Sequence, residues 1–302
     1  MSNPRSAPAP LLTREKAATL IKDSFPNVDA TELRHLGSGA TYDVFQTGDD
    51  WAFRFPRVNW SGDLFDTEAA IHQFVAEIIP AQIRIPRVEL LAPPSRQFPY
   101  PIAGHRFIPG VAADEVDEKL LPTLAREIAL LLNALHSTPT PVAGAAGIHE
   151  VGMDDGRRAW FETGVNSATT LRGVDPVIDT ALDWLKTAPL PLHVDAPLHP
   201  VHGDLDPQHI LVNPSTGFIT GVIDWTETHL DDAATDFVFL VTWRGWHFAE
   251  EVLHLYPRAV DKEFRTRLRS MAQLMSLMWL GHAHAEGREL GGQIRGVHNA
   301  FE

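Results

Sequence analysis

The chain has 302 residues, 44% of them hydrophobic and 21% charged, which is enough apolar material for one large domain or two modest ones. Its formal net charge of −14 argues against the basic stripe that a nucleic-acid partner requires, and suits a cationic substrate as well as plain solubility. Without cysteine there is no disulfide framework and no thiolate chemistry, and no run approaches the roughly 18 apolar residues of a membrane span, so neither a nucleic acid nor a membrane is an expected partner.

Residues 1–12 open with MSNPRSAPAP, which has no apolar run suited to a signal peptide; they read as a disordered leader, and a cytoplasmic enzyme fits. Thr13 to Phe25 reads as an amphipathic helix, capped by Thr13, with Ala17, Leu20 and Ile21 on one face and Pro26 ending it. A glycine-rich loop, Gly37-Ser38-Gly39, then precedes a hairpin. Tyr42 and Val44 alternate on its first arm, Trp51, Phe53 and Phe55 on its second, around a turn at Gly48 to Asp50. Asp66 to Ile79 has helical spacing and stops at Pro80, while Val88 to Leu91 and Ile102 to Ile108 read as strands separated by turn-rich sequence.

After Pro109-Gly110 the character changes. Leu120 to His136, Asp175 to Lys186, Ala233 to Arg244 and Lys262 to Glu286 read as helices. One segment interrupts them, VHGDLDPQHILVNPSTGFITGVIDWTE, in which Ile210 to Val212 and Ile219 to Ile223 are strand-like around Pro214 to Gly217. No internal repeat is visible. The expected architecture is α+β: a small β-rich lobe over 13–108 and a larger helical lobe over 109–302.

Within the interrupting segment Asp204 follows His202-Gly203, His209 lies five positions on, and Asp224 ends the next strand. A short hairpin brings such strand-edge residues near one another, so the three are expected to converge. Phosphoryl transfer uses such a set: one carboxylate accepts the proton of the attacking hydroxyl, and a second holds a metal ion against a triphosphate.

HGDLDPQHILV followed by GVIDW resembles the aminoglycoside and macrolide phosphotransferases, which have a protein-kinase-like two-lobed fold. LGSGATYDVF resembles the nucleotide-covering segment of that family, WAFRFPR its third strand, DTEAAIHQF its N-lobe helix, FIPG its inter-lobe link and DDAATDF its D-P-x-x-D segment with Ala233 in place of proline. Two departures stand out: Arg54 where lysine is usual, and His209 where asparagine is commoner. The resemblance implies the following roles. Gly37, Ser38 and Gly39 approach nucleotide phosphates, and Arg54, aligned by Glu68, neutralises phosphate charge. Asp204 is the catalytic group, His209 and Asp224 handle Mg2+, and Asp236 braces the catalytic loop through His202 or backbone amides. ATP or GTP would be the co-substrate, and a hydroxylated small molecule the acceptor. The acceptor is expected to be an antibiotic, an aminoglycoside ahead of a macrolide; other metabolite kinases and a catalytically silent binding module are the alternatives.

Other features have plainer readings. The histidines His193, His199, His202 and His209 lack zinc-site spacing and read as loop residues. Met271, Met275 and Met278 read as helix core, and Trp243, Trp246 and Trp279 as core or substrate pocket.

Overall fold

The computed structural model describes residues 11–39, 41–57, 64–152, 155–188 and 196–302. Its contacts divide the chain into two compact units, Met1–Gln73 with Arg84–Pro109, and Phe74–Ile83 with Gly110–Glu302. Most of the expected leader, and His193, lie outside the described residues.

The first unit is built on an antiparallel sheet. Its strands are β1 (Leu33–Ser38), β2 (Tyr42–Thr47), β3 (Trp51–Pro56), β4 (Val88–Ala92) and β5 (Ile102–Arg106), in the order β1-β2-β3-β5-β4. Helix α1 (Arg14–Ser24) starts where Thr13 Oγ1 accepts the Lys16 amide at 3.3 Å, and it buries Ala17, Leu20 and Ile21 against Phe45, Phe53, Phe55 and Ile102. The β2–β3 hairpin pairs Tyr42 with Pro56 and Thr47 with Trp51, and Gly48 opens its turn at φ 54°, a conformation glycine adopts without a Cβ penalty. Gly37 and Ser38 are the end of β1, paired with Val44 and Asp43, so only Gly39 of the anticipated loop lies beyond the strand. A register shift between His35 and Gly37 makes Leu36 a bulge residue. Helix α2 (Leu64–Ile78) contributes Glu68 and His72 to this unit.

The second unit contains α3 (Leu121–His136), α4 (Thr140–Ala145), α5 (Asp155–Thr169), α6 (Pro176–Leu185), α7 (Ala234–Leu255), α8 (Phe264–Ala285) and α9 (Gly291–Phe301). Helix α3 buries Leu124, Ile128, Leu131, Leu132 and Leu135, one face of a regular 3.6-residue repeat. Two small antiparallel sheets interrupt the helices. One runs β6 (Val111–Ala112), β8 (Ile210–Val212), β9 (Ile219–Val222); the other pairs β7 (Leu198–Val201) with β10 (His229–Asp232). Among the described residues no helix is long and apolar enough to cross a membrane.

Helices α4, α5 and α9 were not expected, and two further differences from the sequence reading have physical causes. Helix α7 was expected to stop at Arg244; it breaks there, at Gly245 with φ 79°, and then resumes to Leu255. The break releases carbonyls from the helical ladder, and Asn299 Nδ2 on α9 donates to the Thr242 carbonyl at 2.9 Å. The ribbon β7–β10 was not expected, because HPV and HLDD present polar residues where an apolar alternation would be sought. The aromatic residues divide: Trp279 stacks on Phe239 at 4.6 Å, Trp243 lies edge-on to Phe248 at 5.4 Å, and Trp246 carries Arg269 at 4.2 Å over its ring. Met271 and Met278 are buried core.

Helices α5 and α8 approach through glycine. A Cβ at Gly281 would sit 1.7 Å from the Gly164 carbonyl oxygen, a backbone atom with no freedom to yield. Gly281→Ala is therefore expected to destabilise by about 3 kcal/mol or more through overpacking, lowering Tm by roughly 6 °C. Gly144→Ala on α4, where an added Cβ meets nothing within 4 Å, serves as the control and should be neutral or stabilising in the same thermal melts.

Candidate active site

Asp236, at the start of α7, is fully buried, and all its hydrogen bonds serve one segment and one helix. Its Oδ1 accepts the Gly203 amide at 3.0 Å, and its Oδ2 accepts the His202 amide at 3.0 Å and His136 Nε2 at 2.9 Å. Burial alone would raise its pKa. Its hydrogen bonds from the His136 ring and the His202 backbone amide outweigh burial and hold the carboxyl below its ordinary range. The bracing contact is thus made to backbone amides. His136, from the far end of α3, is a participant the sequence reading missed; only its position closing an apolar helix repeat could have marked it.

Gly203 is required where it stands. Its φ is 80°, and a Cβ there would lie 2.4 Å from the Glu227 carbonyl oxygen. The His202 side chain does separate work. Its Nε2 donates to the Ile223 carbonyl at 3.1 Å and its Nδ1 accepts the Asp204 amide at 3.3 Å, so one neutral ring ties the Asp204 loop to the residue before Asp224. Burial pushes its pKa down to about 4, against the pull of Asp236, and keeps it in the form that can do both. Trp225 packs its ring 4.5 Å from the His202 ring and donates Nε1–H to the Val222 carbonyl, closing the same corner.

On this frame Asp204, His209 and Asp224 converge, each offering a ligand atom with all three atoms within 4.8 Å of one another. His209 Nδ1 lies 2.7 Å from the Asp204 carbonyl oxygen, which can only accept, so Nδ1 carries a proton and Nε2 is the nitrogen left to face Asp224. That Nε2 is 3.8 Å from Asp224 Oδ2. Asp224 Oδ1 is taken by the Thr226 hydroxyl at 2.8 Å, which leaves Oδ2 toward His209. Asp224 has φ 60°, the one positive φ outside glycine among the described residues. Partial burial pushes Asp204 up to about 6; His209 opposes the shift while Asp224, Asp206 and Glu227 reinforce it. Asp206 is also raised, mainly by burial, and accepts the Gln208 amide at 2.8 Å.

In the first unit, Arg54 on β3 and Glu68 on α2 form a buried pair with Nη1 2.5 Å from Oε1. Arg54 is therefore not an exposed strand residue. Its Nε and Nη2, the opposite edge of the guanidinium, are buried with no hydrogen-bond partner, as is Glu68 Oε2. Such an edge is a two-donor fork that suits a phosphate. Arg57, the other cation of the strand end, donates to the Gly39 carbonyl at 2.8 Å. The Gly39 amide donates to the Tyr42 carbonyl at 2.9 Å, which removes it from the set of amides free for phosphate in this arrangement. Ser38 Oγ donates to Asp43 Oδ1 at 2.6 Å. A Cβ at Gly37 would meet nothing within 4 Å, so the backbone there is open to close approach. His72, one turn after Glu68 with Nε2 3.5 Å from Oε1, is pushed down to about 3 by burial and then by Arg54; His105 falls to about 4 for the same two reasons.

A family model described as "Phosphotransferase enzyme family" matches residues 32–269. A Bacillus subtilis (strain 168) protein, "Uncharacterized protein YcbJ", is 28% identical over 221 residues, covering 70% of this chain and 69% of that one. Among solved structures, the GDP complex of wild-type aminoglycoside 2'-phosphotransferase-IIIa aligns with a TM-score of 0.73 at 18% identity, over 96% of this chain and 98% of that one. The macrolide 2'-phosphotransferase MphH from Brachybacterium faecium aligns with a TM-score of 0.60 at 20% identity, over 95% of this chain and 97% of that one. The expected protein-kinase-like fold is thereby found.

The buried histidines give a pH dependence with a definite sign. The folded chain holds His202, His105 and His72 below their ordinary value of 6.5, so the unfolded chain binds more protons between pH 6.5 and about 4, and stability falls as pH falls through that window. Each group contributes at most about 1.4 kcal/mol per pH unit. Urea unfolding midpoints should drop from pH 7 to 4.5, and His72→Leu should flatten the slope by about one proton; an equally steep slope in the variant would count against the assignment.

Proposed function

The chain belongs to the phosphotransferase enzyme family, and from that premise we propose that it moves the γ-phosphoryl group of ATP or GTP to a hydroxyl of a small molecule, an aminoglycoside antibiotic first among candidates. The observation that carries this reading is the convergence of Asp204, His209 and Asp224 within 4.8 Å, with His209 Nδ1 held on the Asp204 carbonyl.

The donor set fits a divalent cation. Asp224 Oδ2 offers the hard oxygen that Mg2+ prefers, and His209 Nε2 offers one nitrogen beside it. Bound Mg2+ would neutralise triphosphate charge. Asp204 orients the acceptor hydroxyl and takes its proton. The acceptor oxygen bonds to the γ-phosphorus, the bond from that phosphorus to the β–γ bridging oxygen breaks, and the nucleoside diphosphate leaves. In the first unit the free Nε/Nη2 edge of Arg54 binds phosphate oxygens while Nη1 stays on Glu68, and the open backbone at Gly37 lies against the triphosphate. Dependence on nucleoside triphosphate accords with a cytoplasmic location.

A cationic acceptor is favoured by the carboxylates Asp206, Asp224 and Glu227, whose charges all act on Asp204. Similar structures were solved with aminoglycosides, among them the GDP and kanamycin complex of APH(2")-IIia. A macrolide is the second reading, supported by the likeness to macrolide 2'-phosphotransferases and by Trp160 on α5, a residue 47% exposed.

Purified protein with Mg2+, ATP or GTP and a panel of aminoglycosides and macrolides should release nucleoside diphosphate only in the presence of an acceptor, with one phosphate added to it. Silence across the panel would move the reading to a binding module. Asp204→Asn should lower kcat by about 10³ while nucleotide binding is retained. Arg54→Lys should raise the nucleotide KM several-fold, because an ammonium has no two-donor edge; an unchanged KM would rule out the fork contact.

A further inference from the structure

The Asp236 carboxylate is held by more than the two loop amides, and the hydrogen bonds continue past it. His136 Nε2 lies 2.9 Å from Asp236 Oδ2, and a carboxylate oxygen only accepts, so Nε2 carries a proton. The other nitrogen, Nδ1, lies 2.9 Å from the Tyr256 hydroxyl, at the end of α7. Burial pushes the Tyr256 phenol above its ordinary range, so it keeps its proton and has one to donate. The three side chains are buried: His136 is 1% exposed, Tyr256 6% and Asp236 0%. They are also far apart in sequence, 120 residues from His136 to Tyr256 and 100 from His136 to Asp236, so the contact is not local turn chemistry.

We propose that Tyr256 is a positioning residue for phosphoryl transfer: its hydroxyl donates to His136 Nδ1, holds the ring in the Nε2–H form, and so keeps Asp236 on the His202 and Gly203 amides that carry Asp204. The physical reason is tautomeric choice. A neutral imidazole carries one proton on either nitrogen, and only the Nε2–H form can donate to Asp236. A donor placed opposite Nδ1 makes that form the favoured one; without it Nδ1 becomes a buried acceptor with no partner, and the ring can shift its proton or turn. The role belongs to the hydroxyl. The ring packs edge-on to Phe237 at 5.5 Å and to His136 at 5.9 Å, and those contacts survive its removal.

The inference rests on Asp204 being the catalytic carboxylate, and Tyr256→Phe tests it. Long-range proton–nitrogen NMR should show His136 as Nε2–H in the parent chain and altered in the variant. Amide exchange at His202 and Gly203 should quicken about tenfold, and kcat should fall about tenfold with the nucleotide KM within twofold, as expected for one lost buried hydrogen bond acting through the loop. A parent tautomer retained in the variant with unchanged exchange overturns the proposal, as does an altered tautomer with unchanged kcat. If the parent transfers no phosphate to any acceptor, the functional reading fails, while tautomer and exchange still decide whether Tyr256 sets the clamp. Should the variant not fold, 3-fluorotyrosine replaces the chain's three tyrosines in the parent. Its more acidic phenol must then move the His136 nitrogen shifts, and no movement overturns the proposal.

Discussion

A buried carboxylate with a full set of donors is the constraint on which the second unit's chemistry depends. Asp236 sits with no exposed surface, a placement that would be costly for an unpartnered charge. It is tolerable because two backbone amides and an imidazole donate to it. The same bonds fix where the His202-Gly203 segment runs, and with it where Asp204 begins. Gly203 can follow that path since nothing but a hydrogen stands between it and the Glu227 carbonyl. His202 then passes the constraint onward to Ile223, so the two acidic loops are located by one side chain and not by two independent turns.

The first unit solves a different electrostatic problem. There a cation is buried and paired on one side only, with its second edge left unbonded within hydrophobic walls formed by Tyr42 and Phe65. Two neutral histidines, His72 and His105, stand near that charge, and the repulsion they would suffer if protonated is part of why they stay neutral. Both units thus use burial to hold imidazoles uncharged, but in one the neutral ring bridges loops and in the other it lines the surroundings of an arginine.

Much of this was legible in the sequence because local patterns and the site coincided. Apolar alternation at Tyr42 to Phe55 and the helical repeat of Leu124 to Leu135 marked elements that the structure contains. The short strand after His209 and the strand ending before Asp224 fixed the spacing that brings these residues together. What was hidden depends on distance along the chain. His136 meets Asp236, and Tyr256 meets His136, through tertiary packing; the place of His136 at the end of an apolar repeat is the one local sign of either. The β7–β10 ribbon has four residues per strand and too few apolar ones to announce itself. Gly39 shows the limit of reading glycines by motif: its amide closes a turn onto Tyr42, which no composition rule foretells.

The left-handed backbone at Asp224 has a consequence for how this chain can change. Aspartate tolerates that conformation better than most residues, yet glycine would occupy it with less strain, by something of order 1 kcal/mol. Selection for thermal robustness alone would therefore drift this position toward glycine and discard the carboxylate. Laboratory evolution that screens only for soluble expression should accumulate such variants, whereas a screen that demands turnover should hold the acid in place.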